Sequence, residues 1–153
     1  MKLPPKRSGC PLSTTLEAIG DRWSLLIVRD LMFKSRKTFK DFLDGGEGIA
    51  TNILADRLHR LEAQGIIGRV RDSGDARKII YRLTPKGLDL APALVEMIIW
   101  AARYHETDAP RSAIREMTQN RERFIADIRK RWEATQRTPS SASPRASGRS
   151  SPR

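Results

Sequence analysis

The chain is poor in cysteine, histidine and aromatic side chains: one Cys, two His, three Trp, two Tyr and four Phe among 153 residues. A single cysteine, Cys10, excludes an intrachain disulfide and a multi-cysteine zinc site. Long apolar runs are missing too. None approaches the ~18 residues that a bilayer-spanning helix needs, so no membrane association is expected. Met1 to Arg7 are charged and lack the apolar stretch of a secretory signal. There is no glycine-rich phosphate loop, nucleophile elbow or cluster of metal ligands, which argues against an enzyme and against a cofactor or metal. His59 and His105 are distant in sequence, and neither stands beside an acidic cluster. Acidic residues are also in short supply, 18 against 29 Lys and Arg, for a formal net charge of +11. The expectation is a soluble, cytoplasmic protein with an anionic partner, nucleic acid ahead of a small neutral substrate.

The charge is unevenly placed. Residues 137–153 hold four Arg and no acid beside six Ser and three Pro. With only Ala142 and Ala146 as apolar residues, this stretch cannot offset the entropy of ordering and is expected to be a disordered tail. Lys34 to Lys86 hold 12 basic and seven acidic residues, an excess of +5. Hydrophobic residues make up 39% of the chain, enough for one modest core.

Ser13-Thr14-Thr15 can cap a short helix running to Ile19, which Gly20 ends. Asp21-Arg22-Trp23 opens a second helix, with Trp23, Leu26, Ile27 and Leu31 at apolar helical spacing. Thr38 caps a helix of one to two turns over Phe39–Leu43, and the glycines of Asp44–Gly48 predict a turn. From Ile49 to Gln64, Leu54, Leu58 and Leu61 repeat on one face, with Gly65 as the stop. Asn52, Asp56, His59 and Arg60 project opposite that face, Thr51 and Ala55 flank it, and Arg57 lies at the core boundary. Ile66–Arg71 and Lys78–Leu83 read as the two strands of a hairpin. Thr84-Pro85 starts a helix expected to run to about His105 with a kink at Pro92, and Pro110 begins one further helix.

This order predicts a mainly α protein with a small β-hairpin wing, a winged helix-turn-helix. A helix with a polar outer face fits the DNA major groove, about 12 Å wide, while its neighbour holds it against the backbone. Thr51 and Asn52 begin that helix, and Asn suits adenine by geometry. Arg57, His59 and Arg60 are further candidate contacts along it. Lys37, Thr38 and Lys40 are candidate phosphate contacts from the first helix of the pair. Arg69, Arg71, Arg77 and Lys78 crowd one hairpin, as a wing touching phosphate should. For Arg57 and Arg60 an ion-paired, solvated helix face is the plainer reading, and for Lys37, Thr38 and Lys40 a solvated turn, whereas the wing cations repel one another unless an anion answers them.

These blocks resemble the HxlR-type branch of the MarR-like winged-helix transcription regulators. The resemblance rests on Cys10-Pro11, on Ile19-Gly20-Asp21-Arg22-Trp23 and on Thr38-Phe39-Lys40-Asp41-Phe42. It continues through Ile49-Ala50-Thr51-Asn52-Ile53-Leu54, Arg57 to Gly65, and Tyr81-Arg82-Leu83-Thr84-Pro85-Lys86-Gly87, covering roughly residues 10 to 105. It implies a bacterial, nucleoid-associated homodimer on a pseudo-palindromic double-stranded DNA operator, expected to act as a repressor. The first helix and the long helix after the wing would form the dimer interface, carrying Leu16, Leu90, Leu94, Met97, Ile98 and Trp100 as interface or core. It also implies a small-molecule or oxidant inducer, with Cys10 as a candidate redox sensor, since a thiol before a helix start and near Lys6 and Arg7 is placed for reactivity. The wing tip, Ser73 to Arg77, lacks the prolines of many members. The expected organisation is a flexible stretch over 1–9, the winged domain over 10–105, a helical extension over 106–136 and the tail over 137–153. The alternative is a non-specific, architectural nucleic-acid binder driven by that tail.

Overall fold

A computed structural model describes residues 8–137. Most of the expected flexible N-terminal stretch, and the tail beyond Arg137, lie outside the described residues. Helix α1 (Pro11–Ile19) starts earlier than the Ser/Thr run suggested. Cys10 takes the extended N-cap position, and Pro11 follows in the first turn, where a missing N–H costs nothing. In α2 (Ser24–Phe33) the cap is supplied from two residues outside: the Asp21 carboxylate accepts the Trp23 and Ser24 amides at 2.9 and 3.0 Å.

Helix α2 buries Ile27 and Val28 and, among them, Asp30, only 4% exposed. An unanswered charge at such a site would cost several kcal/mol. Asp30 is answered twice, by Arg29 at 2.7 Å and Arg36 at 3.0 Å, and Arg29 reaches on to Glu47 at 2.8 Å. These pairs tie α2 to the connections on either side of α3 (Phe39–Leu43). Helix α3 opens with a complete capping box between Thr38 and Asp41. Helix α4 (Thr51–Ala63) buries the stripe Leu54, Leu58 and Leu61 against that core. Gly65 follows with φ +68, the left-handed position that a helix stop favours.

Strands β1 (Ile67–Arg71) and β2 (Ile79–Leu83) pair antiparallel from Ile67↔Leu83 to Arg71↔Ile79. The hairpin base is buried and its tip exposed. The Tyr81 amide donates to the Lys37 carbonyl at 2.7 Å, docking β2 against the lead-in to α3.

Two helices expected as continuous are divided. The helix after the wing is a single turn, α5 (Pro85–Leu88), followed by α6 (Ala91–Tyr104). Pro92 cannot donate back into a preceding turn, so it sits in the first turn of a new helix instead of kinking an old one. The C-terminal helix divides at Asn120 (φ −123, ψ 38) into α7 (Arg111–Gln119) and α8 (Arg121–Arg137). Asn120 turns its side-chain amide back onto Glu116 at 2.9 Å.

That break directs α8 onto the winged domain. Phe124 lies 6.2 Å from Phe33, ring centre to ring centre, and Ile128 is buried with Leu88 and Ala91. The Trp132 indole N–H donates to the Leu83 carbonyl at 2.9 Å, and Arg129 pairs with Asp89 at 3.0 Å. Truncating Ile128 to Ala should therefore destabilise the whole fold by about 2–4 kcal/mol. In urea titration the variant should still unfold in one transition, whereas early melting of α8 would mark the extension as a separate unit.

Candidate nucleic-acid interface

The first turn of α4 presents Thr51 and Asn52, both exposed. Neither side chain caps the helix: the N-cap is Ala50, with no side-chain cap hydrogen bond. Their hydroxyl and amide groups are thus open to an outside partner. Asp56 and His59 continue the exposed face, and Arg60 is half-buried at its edge. His59 stands apart from His105, whose ring packs on Trp100 at 5.5 Å. No three His, Cys, Asp or Glu among the described residues are grouped to hold a metal ion.

Arg57 does not turn outward as its long stem would have allowed. Its guanidinium lies 3.2 Å from Asp21 and 3.2 Å from Asp56, half-buried between α4 and the start of α2. Burial alone would raise the Asp21 pKa. The Ser24 hydroxyl, the Trp23 and Ser24 amides and the Arg57 charge outweigh it and hold the carboxyl below its ordinary range. Asp21 thus caps one helix and anchors another. The Asp21-to-Ser24 spacing was visible as a helix-start signal; the tie to Arg57 was not.

On the wing, the chain's own carboxylates answer most of the cations. Arg69 pairs with Glu62 of α4 at 3.0 Å, Arg77 with Asp75 at 3.5 Å and Lys78 with Asp72 at 3.9 Å. Exposed pairs of this kind are worth about 0–1 kcal/mol, so an approaching phosphate can displace them. Arg71, Lys37 and Arg60 have no carboxylate within 4.0 Å among the described residues, and Lys40 meets Asp44 only at 4.0 Å. Thr38 is committed to the capping box.

The residues proposed for a dimer seam fall into two groups. Leu94 is core and Leu90 packs against it, with Ile98 half-buried. Leu16, Met97 and Trp100 are 58%, 54% and 59% exposed. Leu12 and Tyr104, not singled out from sequence, are uncovered beside them on α1 and α6. Cys10 is exposed, its amide donating to the Ser8 hydroxyl at 3.0 Å.

The junction at α3 makes a pH prediction. Hydrogen bonds from the Lys37 amide first, then the Thr38 amide and hydroxyl, with Lys78 nearby, outweigh burial and hold the Asp41 carboxyl below its usual range. A depressed folded value means stabilisation that is present above about pH 4 and lost as pH falls through that value. Asp41→Asn should lower the urea midpoint at pH 7, and the gap to the parent chain should narrow progressively as pH falls below about 4.

A model of HxlR-like helix-turn-helix proteins matches residues 18–109, from the end of α1 to the loop before α7. The HTH-type transcriptional regulator sll1512 of Synechocystis is 33% identical over 88 residues, 58% of this chain and 64% of that protein, so the chain spans less than two thirds of that relative. The HTH-type transcriptional regulator YodB of Bacillus subtilis is 35% identical over 98 residues, 63% of this chain and 87% of YodB. The crystal structure of PA1607 superposes with a TM-score of 0.61 at 38% identity, covering 69% of this chain and 72% of PA1607. YodB has been solved reduced and quinone-bound, with TM-scores of 0.54 and 0.51, covering 65% and 62% of this chain and 97% and 100% of YodB.

Proposed function

Because the chain belongs to the HxlR-like helix-turn-helix family, we propose that it is a sequence-specific, double-stranded DNA-binding transcription regulator, acting as a homodimer in the bacterial cytoplasm on the nucleoid. The observation that carries this is the first turn of α4, where Thr51 and Asn52 stand exposed with no intrachain cap to make. On a recognition helix these positions meet base edges. Arg71, Lys37 and Arg60 supply phosphate contacts, and Arg69, Arg77 and Lys78 exchange weak carboxylate partners for phosphate. Arg57 serves by holding α4 in place. Leu12 and Leu16 of α1 with Met97, Trp100 and Tyr104 of α6 support a self-complementary apolar seam, which sets half-sites one or two DNA turns apart, about 10 bp each. Repression by occupying a promoter is the simplest mode for such a dimer.

Operator selection followed by binding titrations tests this. The selected sequence should be pseudo-palindromic and bind about 10³-fold or more tighter than a scrambled duplex. Asn52→Ala should cost about 1–3 kcal/mol on the operator and little on the scrambled sequence. Arg71→Ala should weaken both alike and reduce the salt slope by about one. Deleting residues 137–153 should cost little, whereas near-total loss of binding would favour the architectural binder instead.

Cys10 is the residue we propose for oxidant sensing, supported by its exposure before α1 and by YodB having been solved with a quinone. With one cysteine per chain, two Cys10 thiols of a dimer would join as a disulfide while the oxidant takes up two electrons and two protons. Diamide treatment should yield a covalent dimer by mass spectrometry, absent in Cys10→Ser. A dimer mass in that variant would dismiss the assignment.

A further inference from the structure

A cavity of about 460 Å³ lies between the end of α2, strand β2, α5 and α8, within the range of small-molecule sites. Met32, Phe33, Leu88 and Trp132 supply its apolar wall. Lys37, Arg82 and Arg131 also line it, and no Asp or Glu does. None of these three cations has a carboxylate within 4.0 Å among the described residues, whereas Arg69, Arg77 and Lys78 of the wing each have one. Cations that line one cavity repel one another until an anion answers them. Ser35, also on the lining, holds a left-handed backbone (φ +51) that a non-glycine residue takes only when its surroundings impose it.

We infer that this cavity is a binding site for a small aromatic carboxylate: the ring lies against Trp132 and Phe33, and the carboxylate bridges Arg82, Arg131 and Lys37. DNA phosphate would satisfy the cations but leave the aromatic wall unfilled. The wall formed by Ile128 to Gln136 comes from α8, outside the 18–109 stretch that matches the family. The site is thus built by the extension and stands on α2, β2, α5 and α8, whereas the apolar seam belongs to α1 and α6. Its regulatory consequence rests on the proposed function. Lys37 lies at the entry to α3, and its carbonyl holds the Tyr81 amide of β2. A carboxylate that engages the Lys37 ammonium removes a phosphate contact, so ligand and DNA compete.

Calorimetric titration of the full chain with 1-naphthoate, without DNA, tests the site, with neutral 1-naphthylmethanol as the isosteric control. Naphthoate should bind saturably, one per chain, at least tenfold tighter than the alcohol. Arg82→Gln combined with Arg131→Gln, each one polar side chain for another, should abolish that preference. The accompanying tryptophan fluorescence change should vanish in Trp132→Phe while calorimetric binding persists. Absence of saturable binding at millimolar naphthoate, or equal affinity in the double variant, overturns the site. Operator titration with and without naphthoate reads the coupling: tighter or unchanged DNA binding overturns competition at Lys37. A chain that binds no DNA fails the functional reading and leaves the naphthoate result standing.

Discussion

One backbone carbonyl, that of Ile66, fixes where the hairpin stands relative to α4. It accepts the Thr84 amide at 3.1 Å and the Thr84 hydroxyl at 3.0 Å, and that hydroxyl also reaches the Gly65 carbonyl at 2.6 Å. The same Thr84 hydroxyl accepts the Gly87 amide and so starts α5. Gly87 lies so close that a Cβ there would stand 2.1 Å from the Ile66 oxygen, a distance no side chain tolerates. The end of α4, the base of the hairpin and the start of α5 are therefore one rigid corner. Lys86 adds a bond from its ammonium to the Gln64 carbonyl at 2.7 Å. With the corner set, the Ile67↔Leu83 pairing follows, and the register carries Arg71 opposite Ile79 at the exposed end.

The charge of the structured region serves two different purposes, and burial separates them. Arg29, Arg36 and Arg57 have low exposure and are each held by a carboxylate; removing one partner would strand a charge, which costs far more than the pair contributes. They hold α2, α3 and α4 in one arrangement. Arg71, Arg77 and Lys78 stand in water, where ion pairs are weak and readily exchanged. A single residue type is thus tied into the scaffold or left open to an outside partner according to its solvation. Net charge, which counts both alike, overstates what is available to DNA.

Local signals in the sequence carried a long way. The Thr38 cap, the Leu54–Leu58–Leu61 stripe, the Gly65 stop and the Thr84-Pro85 start all appear where spacing predicts them, because each depends on residues within one or two turns. What escaped depends on contacts between distant segments. Helical projection puts Arg57 at a boundary, but only the approach of Asp21 from before α2 decides which way its guanidinium turns. The stripe Phe124, Ile128 and Trp132 is legible as apolar, yet nothing in its spacing says that it closes over Phe33, Leu88 and the Leu83 carbonyl. Likewise Arg82 and Arg131 are unremarkable surface cations until the fold brings them to one cavity.

The extension therefore does more than lengthen the chain. Trp132 bonds the carbonyl of Leu83, the residue next to Thr84, so α8 leans on the corner that orients the hairpin and α4. A packed interior transmits small displacements because it has little void to absorb them. Any occupant of the space between α8 and β2 must work against the Trp132–Leu83 contact or alongside it, and either way acts on the strand that also bonds to Lys37. Two hydrogen bonds and one strand thus join Trp132 of α8 to Lys37, the residue proposed above as a phosphate contact.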